Sequence, residues 1–153
     1  MPDWLLAALR VVWTPVTWGR RRLRRRYADR QALIREGAEI VTRVQQFAER
    51  LGPTSIMLGS DDENRVYLQD RHATWHNELR GPLRTYANLH PSEEVRQHGR
   101  EVESAVGADL AATIYLLSVR NSEESHNAYL ESDRAHKAAT AESEALMNAI
   151  RRY

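Results

Sequence analysis

The chain has 153 residues, 42% of them hydrophobic, and its 22 Lys and Arg nearly balance 21 Asp and Glu, for a formal net charge of +1. With a mean hydropathy of −0.63, this composition is typical of a soluble globular protein and argues against a multi-span membrane protein. The absence of cysteine excludes disulfides, thiolate catalysis and cysteine-ligated metal centres.

The charge is divided unevenly along the chain. Residues 1–27, the basic head, hold seven arginines and one acid, whereas residues 28–153, the body, hold 15 bases and 20 acids. A head of net charge +6 on a body of net charge −5 indicates a segment that binds an anionic surface, either phospholipid or nucleic acid. We therefore predict a membrane-anchoring segment over residues 1–27 and a helical bundle domain over residues 28–153.

The first part of the basic head is an apolar segment from Trp4 to Trp18. It is shorter than the roughly twenty residues of a straight membrane span, and Pro15 should kink or end its helix. Its three Trp favour the headgroup boundary, so the helix is expected to lie in the interface or to span at a tilt. On a helical projection the apolar side chains cover a broad arc that consists of Trp4, Leu5, Leu6, Leu9, Val12, Trp13 and Val16.

The second part of the basic head, Gly19 to Tyr27, is polybasic. Each basic side chain beside an apolar anchor gains about 1 kcal/mol at an anionic leaflet, and such a run keeps the following chain on the cytoplasmic side. We predict anionic membrane lipids as partners and a location at the cytoplasmic side of the cell membrane. The predicted membrane-binding residues are Trp4, Leu5, Leu9, Val12, Trp13, Val16, Trp18, Arg20, Arg21, Arg22, Arg24, Arg25 and Arg26.

Three other interpretations of the basic head stay open, one of which is a membrane-active segment that perturbs bilayers. It could be an N-terminal helix that packs on the body and has a solvated basic end. It could also be a nucleic-acid-binding arm, although such an arm would not need three Trp and a leucine-rich run.

The body has apolar residues at helical spacing from end to end, which predicts an all-α fold. We expect an antiparallel bundle of about four helices, preceded by the N-terminal amphipathic helix. The first body helix should end at a Gly52 C-cap followed by Pro53. Gly37 and Ala38 lie on the apolar face of this helix and permit a neighbouring helix to approach closely. The apolar stripe comprises Leu33, Ile34, Ile40, Val41, Val44, Phe47, Ala48 and Leu51.

The second body helix should begin at a capping box that runs from Ser60 to Glu63. Gly81-Pro82 lies inside this helix, and because the apolar stripe resumes in phase beyond it, we expect a kink there but no end. The stripe comprises Leu68, His72, Trp75, Leu79, Leu83, Tyr86 and Leu89.

The third body helix should start within His90-Pro91-Ser92-Glu93, with Pro91 at the first helical position, and continue to about Val119. Its stripe comprises Val95, Val102, Val106, Leu110, Thr113, Leu116 and Leu117. A fourth helix should begin at the cap signal Asn121-Ser122-Glu123-Glu124. Its stripe is weaker because small residues lie between charges, and it comprises Tyr129, Ala135, Ala139, Leu146, Ile150 and Tyr153.

The stretch from Trp75 to Val106 (WHNELRGPLRTYANLHPSEEVRQHGREVESAV) resembles small uncharacterised actinobacterial helical proteins. Those proteins pair a Trp-containing helix with a His-Pro-Ser helix start and often carry an N-terminal membrane segment. The resemblance implies a helical fold and a membrane location, and it implies no activity. The basic head here is shorter and more basic than a regular span.

Pairs that contain histidine are the candidate metal ligands. His72 and His76 are four residues apart on one predicted helix, a spacing that can place two imidazoles on one ion, with Trp75 as a shield. A zincin would need Glu after the first His, where this chain has Ala. Glu123-x-x-His126 matches half of a di-iron carboxylate motif, which requires such a pair on each of two helices. The most similar second pair, Asp133-x-x-His136, is on the same helix. The simpler interpretation is a half-buried His72 and solvated histidines elsewhere, so we predict no metal ligand.

Other catalytic signals are missing from the sequence. It contains no G-x-S-x-G and no glycine-rich phosphate loop, and its serines at helix starts are explained by capping. We therefore expect a non-enzymatic interaction or scaffold protein that has no cofactor. A protein partner is expected but not identified by the sequence, a homo-oligomer stays open, and a metal enzyme on the bundle is the alternative from a different class.

Overall fold

The computed structural model describes residues 29–52, 61–119 and 122–153. Within these ranges the chain is helical and has no strand. Helix α1 covers residues 29–49, α2 is Asp61–Thr74, a π-helical turn is Trp75–Leu79, α3 is Arg80–Leu89, α4 is Glu93–Ser118 and α5 is Ser122–Arg152. The predicted all-α fold is confirmed.

The helices pack as an antiparallel bundle, as their contacts show. On α4 and α5, Glu94 pairs with Arg152 near one end, whereas Asp109 contacts His136 farther along, so the two helices run in opposite directions. Ala87 of α3 lies against Gly99 of α4. With α2, the π turn and α3 counted as one run, the described chain forms the four predicted helices.

The unit that contains this bundle covers residues 37–153. Helix α1 contributes to it through Phe47, whose ring stacks on Trp75 with centroids 5.9 Å apart. Gly37 packs against Tyr86 and Ile150, which confirms that this glycine permits close helix approach. The described residues 29–36 are assigned to another unit.

The buried core follows most of the predicted stripes, but the stripes of the second body helix and of α5 each include residues that are not buried. Leu89 is 79% exposed, because the buried face of this run passes through Tyr86 and Ala87 to His90 instead. On α5, Ala128 is buried where the prediction had Tyr129. Small residues line this part of the helix, with Ala128, Ser132, Ala139 and Ser143 all buried.

The second body helix, for which the sequence predicts a kink at Gly81-Pro82, contains a π turn that ends just before this position. The chain stays helical from Asp61 to Leu89, as predicted, but the Arg80 backbone N–H donates to the Trp75 carbonyl five residues back. Pro82 has no N–H, and its ring crowds the carbonyl four residues earlier. A wider turn just before the proline accommodates both effects.

Two helix-end predictions need correction. Pro91 is not the first helical residue, because α4 begins at Glu93 and Ser92 is its N-cap, accepting a hydrogen bond from the Val95 N–H. Gly52 follows the end of α1, but no described glycine has a positive φ. Helix α1 instead closes with a short-range bond from the Leu51 N–H to the Ala48 carbonyl.

Two glycine substitutions should have opposite effects on stability. In Gly37→Ala the new Cβ would overlap the Tyr86 ring and Ile150, and overpacking of this kind costs about 1–3 kcal/mol. In Gly107→Ala the new Cβ meets nothing within 4 Å, so the helix-propensity gain of about 0.5–1 kcal/mol should appear. Urea unfolding followed by circular dichroism measures both. Equal effects of the two changes would show that α1 does not approach Tyr86 this closely.

Candidate functional site

The predicted membrane-binding residues of the basic head, from Trp4 to Arg26, lie outside the described residues. The capping residues Ser60 and Asn121 and the helix stop at Pro53 lie outside them too. In the part of the chain that the structure describes, no helix combines the length and the apolar character that a membrane crossing requires.

The predicted histidine pair borders an open groove of about 330 Å³ between the π turn and α4. His72 and His76 have ring centroids 4.3 Å apart, with their planes inclined by 39°. Trp75, between them in sequence, points into the core and is only 2% exposed. Both histidines are exposed, so the expectation of a half-buried His72 is wrong.

The groove offers the His72 and His76 pair no third metal ligand. Its carboxylate, Glu103, accepts a hydrogen bond from Arg80 Nε at 2.7 Å and lies 3.7 Å from Arg84 Nε. Among the described residues, the three-residue grouping of His, Asp and Glu that could hold an ion lies elsewhere. The carboxylate of the groove is therefore already paired with two arginines, and much of the remaining lining is apolar.

The two residue pairs that resemble a di-iron motif do not converge. His126 is exposed, and Asp133 pairs with Lys137, whose Nζ lies 2.6 Å from its carboxylate. His136 turns instead toward Asp109 of α4.

The contact between Asp109 and His136 is a buried ionisable pair that the sequence analysis missed. Asp109 is fully buried, its Oδ2 lies 3.2 Å from His136 Nδ1, and its Oδ1 has no hydrogen-bond partner among the described residues. Burial raises the pKa of Asp109 to about 6, and the hydrogen bond with His136 opposes that rise. Its burial could have been predicted from its position, because Asp109 continues the buried stripe of Val102 and Val106 at helical spacing.

A second unexpected histidine, His90, is buried at the turn between α3 and α4. Its ring lies between Tyr86 and Tyr153, with centroid distances of 5.3 and 4.5 Å. Its Nδ1 accepts a hydrogen bond from the Ser92 N–H, and burial lowers the pKa of His90. The expectation that the histidines other than His72 are solvated is therefore wrong for His90.

A third group lies on the seam between α4 and α5. His98 Nδ1 is 2.9 Å from Glu101 Oε2 and 3.8 Å from Glu142 Oε2. One donor atom from each of the three side chains lies within 4.8 Å of the others. For two of the three residues, the spacing His98-x-x-Glu101 in the sequence indicates that their side chains lie on one helix face. The third member could not be found from the sequence, because it requires the register of α5 on α4.

Compared with protein-family models, with curated proteins and with solved structures, the chain shows no match.

Proposed function

We propose that this protein is a non-enzymatic helical bundle held at the cytoplasmic side of the cell membrane by its basic head. The observation that carries the proposal is the division of charge, with +6 in residues 1–27 and −5 in residues 28–153. An acidic body is repelled by an anionic leaflet, whereas the arginines beside a Trp-rich apolar segment are attracted to it. Membrane contact would then be confined to the basic head.

The body supports this proposal through the buried core of its own helices. The unit over residues 37–153 buries its own apolar side chains. Six arginines around Leu23 would be costly to bury in such a core. A self-contained bundle fixed to a surface by a separate segment is suited to an interaction or scaffold role, with an unidentified protein partner or a second copy of the chain.

Vesicle flotation tests the proposal with three variants of the full chain. The parent protein should float with vesicles that contain anionic lipid and not with neutral ones. Changing Arg20–Arg22 and Arg24–Arg26 to Gln should weaken flotation about a hundredfold or more and remove most of its salt dependence. The matched change of the same six residues to Lys keeps the charge and should float like the parent. Deleting residues 1–27 should abolish flotation and leave a cooperatively melting helical protein.

Three outcomes would contradict the proposal. A truncated body that aggregates or loses its cooperative melt would place Trp4–Trp18 in the core. A parent that does not float with anionic vesicles would remove the membrane role. If that parent instead binds duplex DNA with a steep salt dependence, and the Gln variant does not, the basic head is a nucleic-acid arm.

A further inference from the structure

The seam between α4 and α5 brings together one imidazole and two carboxylates. His98 and Glu101 are three residues apart and therefore lie on one face of α4. The antiparallel α5 places Glu142 at the same level, with its Oε2 3.8 Å from His98 Nδ1. All three side chains are half-buried. The group therefore joins two helices and is not a single-helix surface pair.

The two carboxylates of this group could be neutralised by a bound cation. One carboxylate oxygen of Glu101 and one of Glu142 lie within 4.8 Å of each other, and in the described ranges neither carboxylate forms an ion pair with Lys or Arg. The nearby Arg100 pairs with Glu93 instead. His98 Nδ1 is buried and has no well-aligned hydrogen bond among the described residues, although it lies 2.9 Å from Glu101 Oε2. Two carboxylates and an imidazole nitrogen that converge in this way are side-chain types that bind zinc in proteins.

We propose that His98, Glu101 and Glu142 bind one divalent transition-metal ion, with Zn²⁺ as the best match. A tetrahedral zinc ion about 2.0 Å from each ligand places its ligands about 3.3 Å apart, and the observed separations from His98 Nδ1 are 2.9 and 3.8 Å. A nitrogen ligand with two carboxylates favours zinc over Mg²⁺ or Ca²⁺, which prefer oxygen ligands alone. Three protein ligands would leave the fourth position to water.

Gln97 supports the arrangement as a positioning residue. Its Nε2 donates to Glu101 Oε1 at 2.6 Å, which leaves Oε2 directed at His98. Outer partners of this kind commonly contribute tenfold to hundredfold in metal affinity. The ion would clamp α4 to α5, a property separate from membrane binding by the basic head.

Zinc titration of the full-length protein against a chromogenic chelator tests this site. The parent should bind one equivalent of Zn²⁺, and zinc should raise its melting temperature reversibly with a chelator. His98→Gln and Glu142→Gln should each weaken binding at least a hundredfold, and Gln97→Ala about tenfold. The double variant His72→Gln, His76→Gln is the matched control and should bind zinc like the parent.

Two results would overturn the site. One is a parent that binds no more zinc than Glu142→Gln, which would identify the group as a polar contact between α4 and α5 only. The other is loss of the bound zinc in the His72 and His76 double variant, which would place the metal in the groove. Because Glu142 is on α5 and partly exposed, its variant supplies the result even where His98→Gln impairs folding.

Discussion

Replacing Trp75 by alanine is expected to lower the free energy of unfolding by about 3–5 kcal/mol, the usual loss for a buried aromatic side chain. Among the described residues, Trp75 has the largest fully buried side chain, and its ring stacks on Phe47 of α1. Its removal would leave a cavity where α1 meets the π turn. Urea unfolding at neutral pH, followed by circular dichroism, measures the loss.

Leu89→Ala is the matched control for this prediction. The sequence places both residues on one stripe, yet Leu89 is 79% exposed, so its truncation should change the free energy of unfolding by less than about 0.5 kcal/mol. Similar losses for the two variants would show that the stripe predicted from the sequence, and not the observed packing, describes this helix.

The helices and most of the core could be predicted from the sequence because both depend on local spacing. Apolar residues three and four apart mark a buried face whatever its partner, and Ser92 caps α4 through its own side chain. The π turn could not be predicted, because apolar residues stay in phase across it. The shifted face of α5 was missed because buried serine and alanine, such as Ser132 and Ala128, carry no hydrophobic signal.

The candidate sites were less predictable because they depend on the register between helices. The spacing of His72 and His76 correctly placed two imidazoles together, but it gave no information on a third ligand. Glu142 lies 41 positions beyond Glu101 in the chain, and only the packing of α5 on α4 makes them neighbours. The same packing joins Asp109 to His136.

Changing Asp109 to asparagine is expected to stabilise the protein at pH 7.5 and to have little effect near pH 4. Burial raises the pKa of Asp109 from 3.8 to about 6 in the folded state, so the folded protein holds this proton more tightly than the unfolded chain does. The stability that protonated Asp109 contributes is therefore full below about pH 4 and is lost as the pH rises through about 6. Asparagine keeps the shape of the side chain but cannot ionise.

A rise of about two pKa units corresponds to about 3 kcal/mol. The pKa of about 6 already includes the opposing effect of His136, so we expect Asp109→Asn to be more stable than the parent by about 1–3 kcal/mol at pH 7.5. The difference between the two proteins at each pH from 4 to 8, measured by urea unfolding, cancels the titration of every other group. A parent that is more stable than the variant at pH 7.5 would contradict this expectation, because the ionised carboxylate would then gain more from the His136 imidazole 3.2 Å away than burial costs it.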